Sequence, residues 1–273
     1  MRPAQKVDPA QAAAKAAQAR AMAAHDKARD KSHKKALDQA HSAQTRLSSD
    51  SPFTIRRLRR EELPHDTVAL ARFLMGKVVV HDLACGRLSG RIVEAEAYPP
   101  GDPAGHHFRG PTPRIRSMYL APGHAYVFFN YGAHFMLNVA SEPEGQAGGI
   151  LLRALEPLEG VECMRRNRGT EKLLELTSGP GRLAAALQIG REHDGVDLCA
   201  GRGKLWLGEL VSGGAGKPRG GAIARAVRIG ISRAADELLR FYERGNPFVS
   251  GPKRLLGVAK ARRRRAGKTS GDV

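Results

Sequence analysis

The chain has 273 residues, 41% of them hydrophobic, with a formal net charge of +18 and an isoelectric point near 10.4. That apolar content suffices for a sizeable core and excludes wholesale disorder. No apolar run approaches the ~20 residues of a membrane-spanning helix, no secretory-type stretch opens the chain, and no membrane partner is expected.

In chain order, residues 1–52 are rich in Ala, Lys, Gln and His and hold no Phe, Tyr, Trp, Ile or Cys. Nothing there can dock against a core, and the segment reads as a basic flexible tail. The folded domain is expected over 53–252, followed by a second basic tail over 253–273. Residues 1–50 carry ten Lys/Arg against five Asp, and residues 251–273 carry eight against one. Two basic arms therefore flank a mildly basic body, a pattern that calls for a polyanion and adds salt-sensitive, sequence-blind attraction to phosphates.

Within the body, Asp66 or Thr67 caps a helix running through Met75. Val78–Val80 and Leu88–Ala97 read as paired strands joined across Ala84–Arg87. A Gly/Pro-rich loop follows from Pro99 to Pro113. Tyr126–Phe129 and Phe135–Val139 form a second hairpin with Tyr131 and Gly132 near its tip. Gly149–Ala154 is a short strand, a helix is expected from Pro157 onward, another over Arg182–Leu187, and a last strand near Val227–Ile231. The cysteines Cys85, Cys163 and Cys199 include no CxxC pair. They fit isolated core residues in a reducing compartment, with neither a disulfide framework nor a zinc knuckle. Strands first and helices later predict an α+β fold, a single domain with a curved, mostly antiparallel sheet, surrounding helices and a protruding β-hairpin.

The chemistry concentrates in Gly90–Tyr98. On a strand, Glu94, Glu96 and Tyr98 share one face. Exposed glutamates are ordinary on a surface strand, but the following loop brings Asp102, His106, His107 and Arg109. Carboxylate, imidazole and aromatic ring then meet near a loop, as acid–base sites require. Glu94, Glu96, Asp102, His106 and His107 could also be read as metal ligands, although their spacing matches no ligand pattern, and neither metal nor cofactor is expected. Tyr131, rigid at a β-turn of a basic protein, suits insertion between base pairs.

These residues carry a resemblance. GRIVEAEAY (Gly90–Tyr98), HxRG (His107–Gly110), TPRxR (Thr112–Arg116) and APGxAYVFFNYG (Ala121–Gly132) resemble the alkyladenine (3-methylpurine) DNA glycosylase family. LLRALEPLEG (Leu151–Gly160), SGPGRLAAAL (Ser178–Leu187) and RFYERGNPFVS (Arg240–Ser250) do so too, in order, so the likeness runs from about Leu63 to Ser250. It implies that Glu96 is the general base and that Arg153 helps hold Glu96 and its water. Tyr98, His107, Phe128 and Asn138 would form the pocket for a flipped base, with Asn138 crowding the exocyclic amine of normal guanine. Tyr131 would fill the gap in the duplex. Phe128 departs from the tyrosine of many relatives, keeping a stacking face and losing a hydroxyl.

The implied partner is double-stranded DNA containing damaged purines such as 3-methyladenine, 7-methylguanine or hypoxanthine, bound by a monomer. The expected location is the cytoplasm and nucleoid of a bacterium or the nucleus of a eukaryote. Two other classes compete: a non-catalytic basic nucleic-acid binder, which leaves Glu94, Glu96 and His107 without a role, and a metal-dependent nuclease.

Overall fold

The computed structural model describes residues 54–130, 132–211, 220–252 and 255–256. Tyr131, the whole of the 1–52 tail and all of the 253–273 tail except 255–256 lie outside the described residues. The strands are β1 (Ile55–Arg57), β2 (Val78–Leu83), β3 (Gly86–Tyr98), β4 (Ala125–Asn130), β5 (His134–Ala140), β6 (Gly149–Glu159), β7 (Leu205–Leu210), β8 (Ile223–Ala226) and β9 (Arg240–Glu243). The α-helices are α1 (Thr67–Leu74), α2 (Val161–Arg168) and α3 (Pro180–Ala186), supplemented by short 3-10 turns. All strand pairings are antiparallel, in the order β1-β7-β2-β3-β6-β5-β4, with β9 pairing β3 and β8 pairing β9. The fold is α+β, as the order of elements in the sequence predicts.

Local chemistry explains the well-placed elements. Asp66 is the N-cap of α1, its carboxylate accepting from Ala69 N at 2.7 Å. Leu70, Ala71 and Leu74 then bury one face of that helix in the main core with Leu88, Ile92, Leu152 and Leu155. The turn between β2 and β3 is tight, with Leu83 paired to Gly86, and Gly86 takes φ +114°, where a side chain is disfavoured.

β3 is the spine. Its first half pairs with β2 on one side, its second half with β9 on that same side, and β6 lies along the other. Every residue from Leu88 to Ala97 is buried, so both faces are covered. The two glutamates of this strand are therefore interior residues, which an alternating surface strand would not give.

Three expectations are corrected. The helix expected from Pro157 begins only at Val161, because β6 continues to Glu159. β5 flanks β6 only over Gly149–Leu151, so Pro157 sits on an open edge where its missing N–H costs no ladder bond. The strand expected at Val227–Ile231 is irregular chain: Gly230 turns it at φ +79°, and the ladder instead uses Ile223–Ala226 and Arg240–Glu243. The cysteines are not all isolated, since Cys85, in the β2–β3 turn, is disulfide-bonded to Cys163 in α2 across a sequence separation of 78. Packing of that turn against the helix is a long-range contact invisible in cysteine spacing. Cys199 is the free thiol.

Candidate active site

β3 and β6 build the site between them. Along this ladder Ile92 faces Leu155, Glu94 faces Ala154 and Ala95 faces Leu152, so Val93 on β3 and then Arg153 on β6 are each passed over in a β-bulge irregularity. A bulge bends the strand and re-aims a side chain. Here it brings the Arg153 guanidinium to both glutamates of β3, with Nε 3.2 Å from Glu94 Oε1 and Nη1 3.2 Å from Glu96 Oε1.

The two carboxylates differ in what surrounds them. Glu94 accepts from Ser250 N at 2.6 Å and lies 3.4 Å from the Nε of Arg240, a cation also sealed from solvent. Burial pushes the Glu94 carboxyl above the ordinary carboxylate range, with Arg153 and Ser250 pulling it back. Glu96 accepts from Ile229 N at 2.8 Å through Oε1 and from the Tyr98 hydroxyl at 2.9 Å through Oε2. Oε1 thus has two partners and Oε2 one, leaving Oε2 with spare acceptor capacity. Tyr98 stays a phenol, since burial and the neighbouring Glu96 both push its ionisation up.

Above this cluster lies a cavity of about 580 Å³. Its lining includes Tyr98, Arg153 and Ile229, the three residues that hold Glu96. Glu96 itself is fully buried beneath them. An aromatic wall comes from the β4–β5 hairpin. Tyr126 and Phe128 stack with centroids 5.4 Å apart and planes at 27°, and the His106 ring meets Phe128 edge-on at 4.6 Å. Asn138, on β5, lines the same cavity and is fixed by donating to Tyr126 O at 3.1 Å. Burial lowers the His106 imidazole below its ordinary value, so it is neutral near pH 7.

Of the residues singled out in the sequence, Tyr98, Phe128, Asn138 and Arg153 surround one cavity with Glu96 below it. His107 does not line it. His107 turns back to Pro99 O at 2.9 Å, while His106 occupies the wall and bonds the Tyr126 hydroxyl at 2.8 Å. The loop here is a 3-10 turn, His106–Arg109, in which neighbours point roughly 120° apart, so adjacent histidines cannot share a target. Ile229 and Arg240 also escaped the sequence reading. Ile229 acts through its backbone, and Arg240 looks like an ordinary strand-edge charge. Glu94, Glu96, Asp102, His106 and His107 do not converge, and no group of three or more His/Cys/Asp/Glu among the described residues could hold a metal ion. Nor is any helix among them long and apolar enough to cross a membrane.

Residues 61–247 match the methylpurine-DNA glycosylase (MPG) family. A Mesorhizobium japonicum protein provisionally named 3-methyladenine DNA glycosylase is 58% identical over 196 residues, covering 72% of this chain and 91% of that protein. Similarly named proteins from Paraburkholderia phytofirmans and Chlorobium phaeobacteroides are 51% and 43% identical, covering 73% and 68% of this chain and 90% and 92% of their own length. With the family matched across the whole body that carries the cavity, the chain belongs to the methylpurine-DNA glycosylase family.

Proposed function

We propose that this protein excises alkylated or deaminated purines, such as 3-methyladenine, 7-methylguanine or hypoxanthine, from double-stranded DNA by hydrolysing the N-glycosidic bond. The observation that carries this reading is that all three groups holding the buried Glu96 line one aromatic-walled cavity. The damaged nucleotide flips out of the stack into the cavity, a step costing a few kcal/mol and least at a damaged pair. Phe128 and Tyr98 offer π faces to the extruded base, which favours a cationic alkylpurine.

A water bonded to Glu96 Oε2 attacks C1′ of the sugar. The C1′–N bond breaks with its electron pair leaving on the purine, and the water's proton passes to Glu96. The carboxylate also stabilises positive charge developing on the sugar. Arg153 and the Ile229 amide keep Oε1 fixed, so that Oε2 is the oxygen that works. A positively charged base leaves as a neutral one and needs no acid. The products are free base and an intact strand with an abasic site, without a lyase step. Tyr131, which follows β4 in the sequence, fills the space vacated in the duplex, and the basic tails add phosphate attraction to a monomeric enzyme.

The test is base release from a duplex carrying one 7-methylguanine, comparing wild type with Glu96→Gln. Wild type should release base and leave the strand uncut in excess chelator, and Glu96→Gln should lose at least ~10²-fold in single-turnover rate. A folded Glu96→Gln protein as fast as wild type would sink the mechanism, and chelator-sensitive strand cleavage would favour the nuclease class.

A further inference from the structure

Between β8 and β9 the chain runs through residues 227–239 without helix or strand. Yet this irregular stretch delivers the Ile229 N–H to Glu96 Oε1, and Ile229–Arg233 line the cavity. An irregular segment can place one hydrogen atom reproducibly only if something anchors it. The Ile229 side chain fits against Gly251, where an added Cβ would lie 2.5 Å from it. The stronger anchor is the preceding residue.

Arg228 is fully buried. Its Nη1 donates to Ala97 O at 3.0 Å, and both Nη1 and Nη2 engage the Asp102 carboxylate, Nη2 at 3.2 Å. The guanidinium carbon lies 4.6 Å from the centroid of the Tyr98 ring, within cation–π range. Asp102 is equally enclosed, and its Oδ1 accepts from Ala104 N at 2.9 Å. That carboxylate therefore organises the start of the loop that carries His106. One arginine joins the end of β3, the His106 loop and the segment bearing Ile229.

We propose that Arg228, paired with Asp102, is a positioning residue that locks the two loops flanking the cavity so that the Ile229 amide and the Tyr98 hydroxyl both address Glu96. It touches neither the base nor the water. Its effect is on the geometry of the carboxylate, and the proposal rests on the glycosylase reading of this cavity. Arginine is required because a planar fork serves a carboxylate and a carbonyl at once while lying against a ring, which an ammonium cannot do.

The experiment uses the full-length protein as wild type, Arg228→Ala, Arg228→Lys and Asp102→Asn. It reads the single-turnover rate of 7-methylguanine release, Kd for a duplex with a stable abasic-site analogue, and Tm. Misplacing a catalytic group costs on the order of 10²-fold, which is the rate loss expected for Arg228→Ala, with Kd for the abasic duplex unchanged within about threefold. Arg228→Lys should recover part of the rate, and Asp102→Asn should fall in between. A folded Arg228→Ala protein with the wild-type rate overturns the proposal, as does weakened abasic-duplex binding at unchanged rate. If Arg228→Ala does not fold, wild-type rates in both Arg228→Lys and Asp102→Asn overturn it equally. A wild-type protein that releases no base overturns the glycosylase reading and this proposal with it, whereas an active wild type with an unimpaired variant overturns this proposal alone.

Discussion

Arg153 Nε lies 3.2 Å from Glu94 Oε1, and both side chains are withdrawn from solvent. The same guanidinium serves Glu96 through Nη1, so Glu94 decides how much of the arginine Glu96 receives and in what orientation. Dehydration pushes the Glu94 carboxyl up despite two arginines and an amide beside it.

Glu94→Gln should therefore lower both activity and stability. It removes one partner of a buried pair and leaves the fully buried Arg240 without its carboxylate, a loss of about 3–5 kcal/mol. Single-turnover base release should drop at least ~10-fold because Arg153 loses one of its two fixed partners. Thermal melts and release assays on one preparation check this. A large fall in Tm with an unchanged rate would mean that Glu94 serves the fold alone.

Acid sensitivity has a specific source in two buried imidazoles. Burial lowers both His81, which bonds Leu187 O at 2.7 Å, and His106 from an ordinary value of 6.5. A depressed folded value means that the unfolded chain takes up protons first. Stability from these residues is then complete above pH 6.5 and is lost as pH falls below it through the lower folded values. Tm should decline below about pH 6.5, and the decline should be shallower in His106→Gln. An identical profile in that variant would assign the acid sensitivity elsewhere.

Cysteine chemistry gives a third expectation. The Cys85–Cys163 link closes a loop of 78 residues in separation, and such links stabilise by about 2–4 kcal/mol. The double replacement Cys85→Ser/Cys163→Ser should lower Tm by roughly 5–15 °C and leave the single-turnover rate within about twofold, because neither residue approaches the cavity. Burial pushes the Cys199 thiol up to about 11, so in the folded protein it should react slowly with iodoacetamide at pH 7.5. Labelling of all three cysteines after denaturation without reductant would contradict the link.

Much of this was legible in the sequence where the signal is local. Asp66 as a cap, the two hairpins and the shared face of Glu94, Glu96 and Tyr98 each follow from a few neighbouring residues. What stayed hidden depends on contacts distant along the chain. Whether Glu94 is surface or interior turns on β9, almost 150 residues later, covering that side of β3. Which of His106 and His107 faces the cavity turns on the phase of a 3-10 turn. The Val227–Ile231 stretch carries strand-like residues, but a buried Arg228 and the left-handed Gly230 draw it out of the sheet.

The bulge at Arg153 gives the site an unusual vulnerability, to changes of length more than of chemistry. Val93 on β3 and Arg153 on β6 are each passed over in the pairing, so the two strands spend equal numbers of residues between Ile92 and Ala95. Substitution at Leu152 or Ala154 would trouble the packing locally. Removal of either would leave the skipped residue of β3 without its counterpart and slip the register by one, and a one-residue slip turns side chains to the other face. The arginine would then leave two buried carboxylates facing each other with Arg240 alone. A single-codon deletion here would thus cost the sheet its register and the enzyme its arginine.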